Sequence, residues 1–252
     1  MLGVENSLGG RRWAWRGAAE NPAVARAGAA MAQQLGISDI AGRLLAVRGI
    51  TPEQAEHYLK PRLSALPDPS CLVDMDRAAE RLARAVQAGE CVGIFGDYDV
   101  DGACASAVLA AFLEEQGCPV VTHIPDRMTE GYGPNRPALE ALVAQGATVL
   151  VCVDCGTASA SILDPMSAQA DVIVLDHHKS EDALPAILAT VNPNRPDCRS
   201  GLGHICAAAL SFLATVATRR ALRAAGWYAT HPEPDLRPLL DLVALATVCD
   251  VM

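Results

Sequence analysis

Three aspartates at alternate positions, Asp97, Asp99 and Asp101, lie within the stretch Gly93-Ile-Phe-Gly-Asp-Tyr-Asp-Val-Asp-Gly102. Their like charges repel at this spacing unless a cation neutralises them, and oxygen donors of this kind suit a hard divalent metal. Two later stretches offer similar donors. The apolar run 149–153 ends in Asp154-Cys155-Gly156-Thr157, and the run 172–175 ends in Asp176-His177-His178-Lys179. A solvated acidic turn has no reason to recur behind three apolar runs. The three stretches are therefore read together, as one metal site.

Positioning them is the task of the surrounding elements. Residues 91–95, 119–124, 148–153, 171–175 and 187–191 read as short buried strands, with helical stretches near 102–116, 136–145 and 157–169 between them. This alternation predicts an α/β fold, a parallel sheet of about five strands with helices on both faces. In a parallel sheet the strand ends share one edge, which is where such sheets bind ligands. A long alanine-rich helix is expected over 204–225, and a last helix near 236–247 after Pro232, Pro234 and Pro238.

The chain ahead of the sheet reads differently. Residues 1–20 lack periodicity and are expected to be a mobile N-terminal segment, in which Trp13 and Trp15 could stack on bases or pack against the next helices. Residues 21–70 form a small helical lead-in and linker. Helical spacing recurs over 22–35 and 40–47, and Thr51-Pro-Glu-Gln54 is a capping-box start for a helix to about 59. Pro61, Pro67 and Pro69 then impose extended backbone. Residues 71–252 are taken as the catalytic domain, opening with an amphipathic helix over 74–88.

Other polar residues carry two readings each. Arg127, Glu130 and Tyr132 lie in a polar loop close to the ligand edge, where Arg127 either contacts substrate or shapes the loop. Lys179 could meet a phosphate or simply be solvated. His204 follows Gly201-Leu-Gly203 at a helix start, a place that either receives a phosphate or forms a tight packing turn. His123, on an apolar strand, reads as a core histidine, and His57 and His231 as surface residues. Cys152 and Cys155 form a C-x-x-C without a second pair, so they read as small core residues.

Composition bounds the rest. The chain has 252 residues, 51% hydrophobic and 4% aromatic, enough for a large core. No apolar run reaches the length of a membrane span, and no apolar segment follows the early arginines as in a secretory leader. Nine cysteines, an odd number, read as reduced thiols of a cytoplasmic protein. A net charge of −9 argues against strong binding of nucleic acid by a basic surface, although bound cations would offset part of it.

Taken in order and at these spacings, DYDVDG, VDCGT and DHH resemble the DHH phosphoesterase superfamily and, within it, the RecJ family of single-strand-specific exonucleases. Leu66-Pro-Asp-Pro69, Asp74-Met-Asp76, the segment Ile124–Asn135, Val191-Asn-Pro-Asn194 and Asp241–Asp250 strengthen the likeness. It runs from about Gly36 onward. The resemblance implies two divalent ions, Mn2+ or Mg2+, with Mn2+ favoured by a nitrogen ligand. It assigns Asp99 to one ion, Asp101, His177 and Asp250 to the other, and Asp154 to a bridge between them. His178 would face the scissile phosphate, Asp97 is an extra carboxylate at the catalytic centre, and Asp176 would orient a neighbouring group. Family members often carry a histidine where this chain has Phe95, so the first ion would have one ligand fewer.

The function this implies is metal-dependent hydrolysis of phosphodiesters, as a 5′-to-3′ exonuclease on single-stranded DNA in repair and recombination. The partner expected is the 5′ end of single-stranded DNA, with no membrane; protein partners are not indicated. Further nucleic-acid-binding domains follow in that family, and their absence after Asp250 leads to the expectation of a truncated form with weak activity alone. Two other readings stay open: a small-substrate phosphoesterase acting on pyrophosphate, cyclic dinucleotides or short oligonucleotides, which the net acidity favours, and an inactive RecJ-like binding protein, against which the intact aspartates and histidines speak.

Overall fold

The computed structural model describes residues 4–14, 21–179 and 183–252. Part of the expected mobile segment, including Trp15, lies outside them. The chain forms two compact units that divide between Pro67 and Asp68.

The first unit holds helices α1 (Pro22–Leu35), α2 (Asp39–Val47) and α3 (Pro52–Leu59). Their starts follow from the sequence: Asn21 and Ser38 cap α1 and α2, and Thr51 with Gln54 forms a capping box on α3. Met31, Leu45 and Ala55 make the small core.

The second unit contains α4 (Met75–Ala88), β1 (Cys91–Gly96), α5 (Val100–Glu115), β2 (Val120–His123), α6 (Arg136–Ala144), β3 (Ala147–Val153), α7 (Ala160–Met166), β4 (Asp171–Leu175), β5 (Ala189–Val191), α8 (Ala207–Ala224) and α9 (Leu240–Cys249). The strands form one parallel sheet in the order β2-β1-β3-β4-β5. Residues of α4, α5 and α8 pack on one face, and residues of α6 and α7 on the other. The five-stranded parallel sheet with helices on both faces is as the alternation of apolar runs predicts. β3, Ala-Thr-Val-Leu-Val-Cys-Val, is buried on both faces beyond Thr148, which is why it reads as a continuous apolar run rather than an alternating one.

Several boundaries differ from expectation. The helix expected over 157–169 is only α7, because Thr157 turns back to donate its N–H to Asp176. α8 starts at Ala207 rather than 204, and a tighter turn, Arg237–Leu239, precedes α9. At the amino edge of the sheet, Arg81 of α4 donates to Glu90 and Asp171, and Glu90 also accepts from Thr148. This cluster ties α4 to the starts of β1, β3 and β4, on the edge away from the aspartates.

Candidate metal centre

The carboxyl edge carries the site because the parallel ladder continues one residue past each strand. Asp97 N–H donates to Val153 O, Asp154 N–H to Leu175 O, and Asp176 N–H to Val191 O. These aspartates directly follow β1, β3 and β4. The register aligns Gly96 with Val153, Val153 with Leu175 and Leu175 with Val191, so the three form a row across the edge. The row crosses the point between β1 and β3 where the strand order reverses, the usual ligand crevice of a doubly wound sheet.

Local backbone then aims the side chains. Asp154 has φ of 62°, a left-handed conformation that aspartate tolerates better than most residues. Gly102 lets the start of α5 lie against Asp97: a Cβ there would meet the Asp97 carbonyl oxygen at 2.5 Å. Asp99 caps α5 by accepting the Gly102 N–H at 2.9 Å. Asp101, in the first turn of α5, is almost wholly buried, and its two oxygens accept from Ala207 and Ala208 N–H at 2.6 and 2.8 Å.

The result is a cluster of donors. Asp101, His177 and Asp250 present ligand atoms within 4.8 Å of one another; so do Asp97, Asp99 and Asp154, and so do Asp154, His177 and His178. His177 Nε2 stands 3.1 Å from Asp154 Oδ1 and 3.6 Å from both Asp101 Oδ2 and Asp250 Oδ2. Asp97 Oδ1, Asp154 Oδ1, His177 Nε2 and Asp250 Oδ2 are buried without a hydrogen-bond partner. Buried polar atoms are ordinarily satisfied. Four unsatisfied ligand atoms spread over these adjoining groups, three of them on carboxylates, fit bound cations better than protein hydrogen bonds.

The electrostatics agree. Burial pushes the Asp154 carboxyl up to about 7, with the neighbouring carboxylates of Asp101 and Asp99 adding to it and the His177 contact opposing it. Burial raises Asp97 and Asp250 as well. For His177, burial acts downward, but the contact with Asp154 and the carboxylate charges outweigh it and the net shift is upward. His178 is raised to about 9, chiefly by Asp176, whose Oδ1 lies 2.8 Å from His178 Nδ1. Asp176 in turn stays below its ordinary range: burial opposes this, and the bonds from His178 and Thr157 outweigh burial.

Of the sequence-predicted residues, Asp97, Asp99, Asp101, Asp154, Asp176, His177, His178 and Asp250 converge here. Arg127 lies 5.1 Å above the ring of Tyr98, which meets Tyr132 edge-on, and Tyr132 meets His178 in the same way. Lys179 and His204 are exposed. The expectation of a phosphate at the start of α8 is corrected in one respect: the first N–H groups of that helix are taken by Asp101. Phe95 is fully buried, with its ring stacked on His123 at 5.6 Å. Sequence reasoning gives no role to Tyr98, although it alternates with the aspartates, nor to Asn192 and Asn194, which count only toward the resemblance although their Asn-Pro-Asn follows β5 as the acidic turns follow the other strands.

A family model described as the N-terminal domain of the DHH family matches residues 91–247. The chain belongs to the DHH family. Among curated relatives, this DHH chain is 36% identical over 214 residues to the single-stranded-DNA-specific exonuclease RecJ of Dickeya dadantii, covering 83% of the chain and 37% of the relative. It is 31% identical over 226 residues to the RecJ of Bacillus subtilis, covering 88% of the chain and 27% of the relative. The chain thus spans about a third of the length of these relatives. Among solved structures, it superposes on exonuclease RecJ bound to manganese with a TM-score of 0.62 at 30% identity, over 75% of this chain and 45% of that one. It superposes on RecJ of Thermus thermophilus in complex with Mn2+ with a TM-score of 0.68 at 25% identity, over 90% of this chain and 30% of that one.

Proposed function

We propose that this DHH chain is a hydrolase that uses Mn2+ or Mg2+ to cleave phosphodiesters, with single-stranded DNA as substrate and the 5′ end as its point of attack. The observation that carries this reading is the pair of donor groups that meet near Asp154: Asp97, Asp99 and Asp154 on one side, Asp101, His177 and Asp250 on the other. Asp99 would hold one ion, Asp101, His177 and Asp250 the second, and Asp154 both. Divalent ions bound there supply a water nucleophile near neutral pH and neutralise charge on the phosphate.

The protein's own groups do the rest. His178 would offer its ring to the phosphate while Asp176 fixes it through Nδ1, and the Asp176 carboxylate favours the protonated ring that can give a proton to the leaving oxygen. Asp97, grouped with Asp99 and Asp154, would add a carboxylate at the catalytic centre. Arg127 above Tyr98 offers a positive charge and an aromatic face to the nucleotide. The relatives named as single-stranded-DNA-specific exonucleases support this substrate; cytoplasmic DNA repair and recombination is the setting this reading gives it.

A small-substrate reading is favoured by one observation, the balance of 20 Lys and Arg against 29 Asp and Glu, with few aromatics. A long strand needs a basic groove and stacking platforms. We therefore expect weak digestion of long single strands and best turnover of very short oligonucleotides. The test incubates the protein and Mn2+ with a long 5′-labelled single strand and with a dinucleotide. Cleavage of neither, where Mn2+ binds, overturns the hydrolase reading. Processive digestion of the long strand overturns the preference for short substrates.

A further inference from the structure

The row of residues along the sheet edge has a fourth member. Asn192 follows β5 as Asp97, Asp154 and Asp176 follow β1, β3 and β4, and Leu175 pairs with Val191 in the register that aligns Asp176 with it. It is 1% exposed. Every polar atom of its side chain is engaged. Nδ2 donates to the carbonyl of His178 and to Thr157 Oγ1, each at 2.9 Å, and Oδ1 accepts the Asn194 N–H at 2.7 Å. Asn194 Nδ2 donates to the carbonyl of His177 at 2.5 Å. The two asparagines thus hold the successive carbonyls of the double histidine.

We propose that Asn192 and Asn194 are positioning residues for His177 and His178. The inference rests on the metal-dependent reading of the same site. A carbonyl held from outside fixes its peptide plane, which constrains the two residues it joins: Asn194 holds the plane between His177 and His178, and Asn192 holds the plane after His178 and Asn194 itself. His177 must send Nε2 toward Asp101, Asp154 and Asp250, while His178, the next residue, must keep Nδ1 on Asp176 and its other nitrogen outward. Both are met by the tilted pair of rings, 4.7 Å apart at 59°. The β4 ladder stops at Asp176, whose Oδ1 accepts the His178 N–H at 3.1 Å and meets its ring at 2.8 Å; the carbonyls of the segment after it, 177–179, which has no regular structure, are left for the asparagines to hold. The amide is required rather than a carboxylate. Two donated bonds run to oxygens, and a charged residue in the row's fourth place would add to the repulsion that the cations must offset. Thr157, which donates its N–H to Asp176, also accepts from Asn192, so one buried network joins the VDCGT, DHH and Asn-Pro-Asn turns.

The test compares the full chain with Asn192→Asp, Asn194→Asp and His177→Ala, using Mn2+ as the probe. Pulsed electron paramagnetic resonance reads nitrogen coupling from a ligating imidazole to Mn2+, and thermal melts are taken with and without the ion. The wild type should show the nitrogen coupling, and His177→Ala should lose it. Asn192→Asp should weaken or abolish the coupling and lower Mn2+ affinity about 10- to 100-fold, the range for groups that support metal ligands from behind. Its metal-free melt should fall, because two buried donated bonds are lost and a carboxylate joins a row that no cation offsets, and the rise in Tm on adding Mn2+ should shrink as well. If Asn192→Asp does not fold, Asn194→Asp, which frees only the His177 carbonyl, reads the same effect. Unchanged coupling and affinity in a folded asparagine variant overturn the positioning role and leave the metal reading standing. No nitrogen coupling in the wild type overturns the metal reading, and the clamp with it.

Discussion

His177 Nε2 and Asp154 Oδ1 stand 3.1 Å apart, both buried, and neither has a hydrogen-bond partner. The distance alone would allow a bond; the geometry does not make one. Two unsatisfied ligand atoms held this close can both reach a single cation as neighbouring ligands.

Asp154 belongs to two of the three donor groups, whereas Asp97 belongs to one. Asp154→Ala should therefore cost more Mn2+ affinity than Asp97→Ala, about 100-fold against about 10-fold on the scale of metal-site substitutions. Calorimetric titration checks it, and equal losses would remove Asp154 from its bridging place.

The pH dependence has a fixed sign. Asp154 is raised to about 7 in the folded chain, against about 3.9 unfolded. Folding without metal therefore takes up a proton between these values. The metal-free protein holds this contribution below about 4 and loses it as pH rises to about 7. His178, raised to about 9, continues the loss from about 6.5 upward. Cations must displace the Asp154 proton, so the rise in Tm on adding Mn2+ should be larger at pH 8 than at pH 6. Melts at both values, with and without the ion, measure it; an equal rise at the two would contradict the shift.

Asp101 does two jobs, since it closes the amino end of α8 while facing His177. Asp101→Ala strips the acceptors from two buried N–H groups and should destabilise the metal-free chain by about 2–4 kcal/mol. Urea unfolding without metal isolates this cost from metal binding. A loss under about 0.5 kcal/mol would mean that water replaces the carboxylate.

Arg81 supplies the contrast, because its cluster with Glu90 and Asp171 sits at the opposite sheet edge. Arg81 is buried but Asp171 is half exposed, so Arg81→Ala should cost about 2–3 kcal/mol, below the full cost of breaking a buried pair. Mn2+ affinity of the folded variant should match wild type. A large change in affinity would show that the two sheet edges are coupled.

Much of this was legible in the residues. The strands could be read because buried parallel strands are unbroken apolar runs, and each donor turn announced itself by following one. Asp250 was reached only through family resemblance, since nothing in its own surroundings marks it. Other features were hidden for physical reasons. Asn192 carries no charge, and its role consists of bonds to backbone carbonyls that depend on β5 lying beside β4. The capping of α8 by Asp101 joins residues far apart in the chain, and no local pattern encodes it. The short α7 was over-read because its preceding turn is apolar enough to look helical, while Gly156, at φ of 110°, and the bond from Thr157 to Asp176 hold it open.

The row along the sheet edge also sets a scale. Neighbouring strands lie about 4.8 Å apart because the peptide hydrogen bond has one length. Asp97, Asp154 and Asp176 are pinned through their own N–H groups to adjacent strands, so the intervals between their backbones are set by the sheet and cannot be tuned by side-chain packing. The sheet acts as a ruler, with a carboxylate or amide standing at each graduation from β1 to β5. Lengthening any one of these side chains by a methylene would overshoot a mark that its neighbours still keep. The chain can therefore change which atom stands at a mark, but the distance between marks belongs to the backbone.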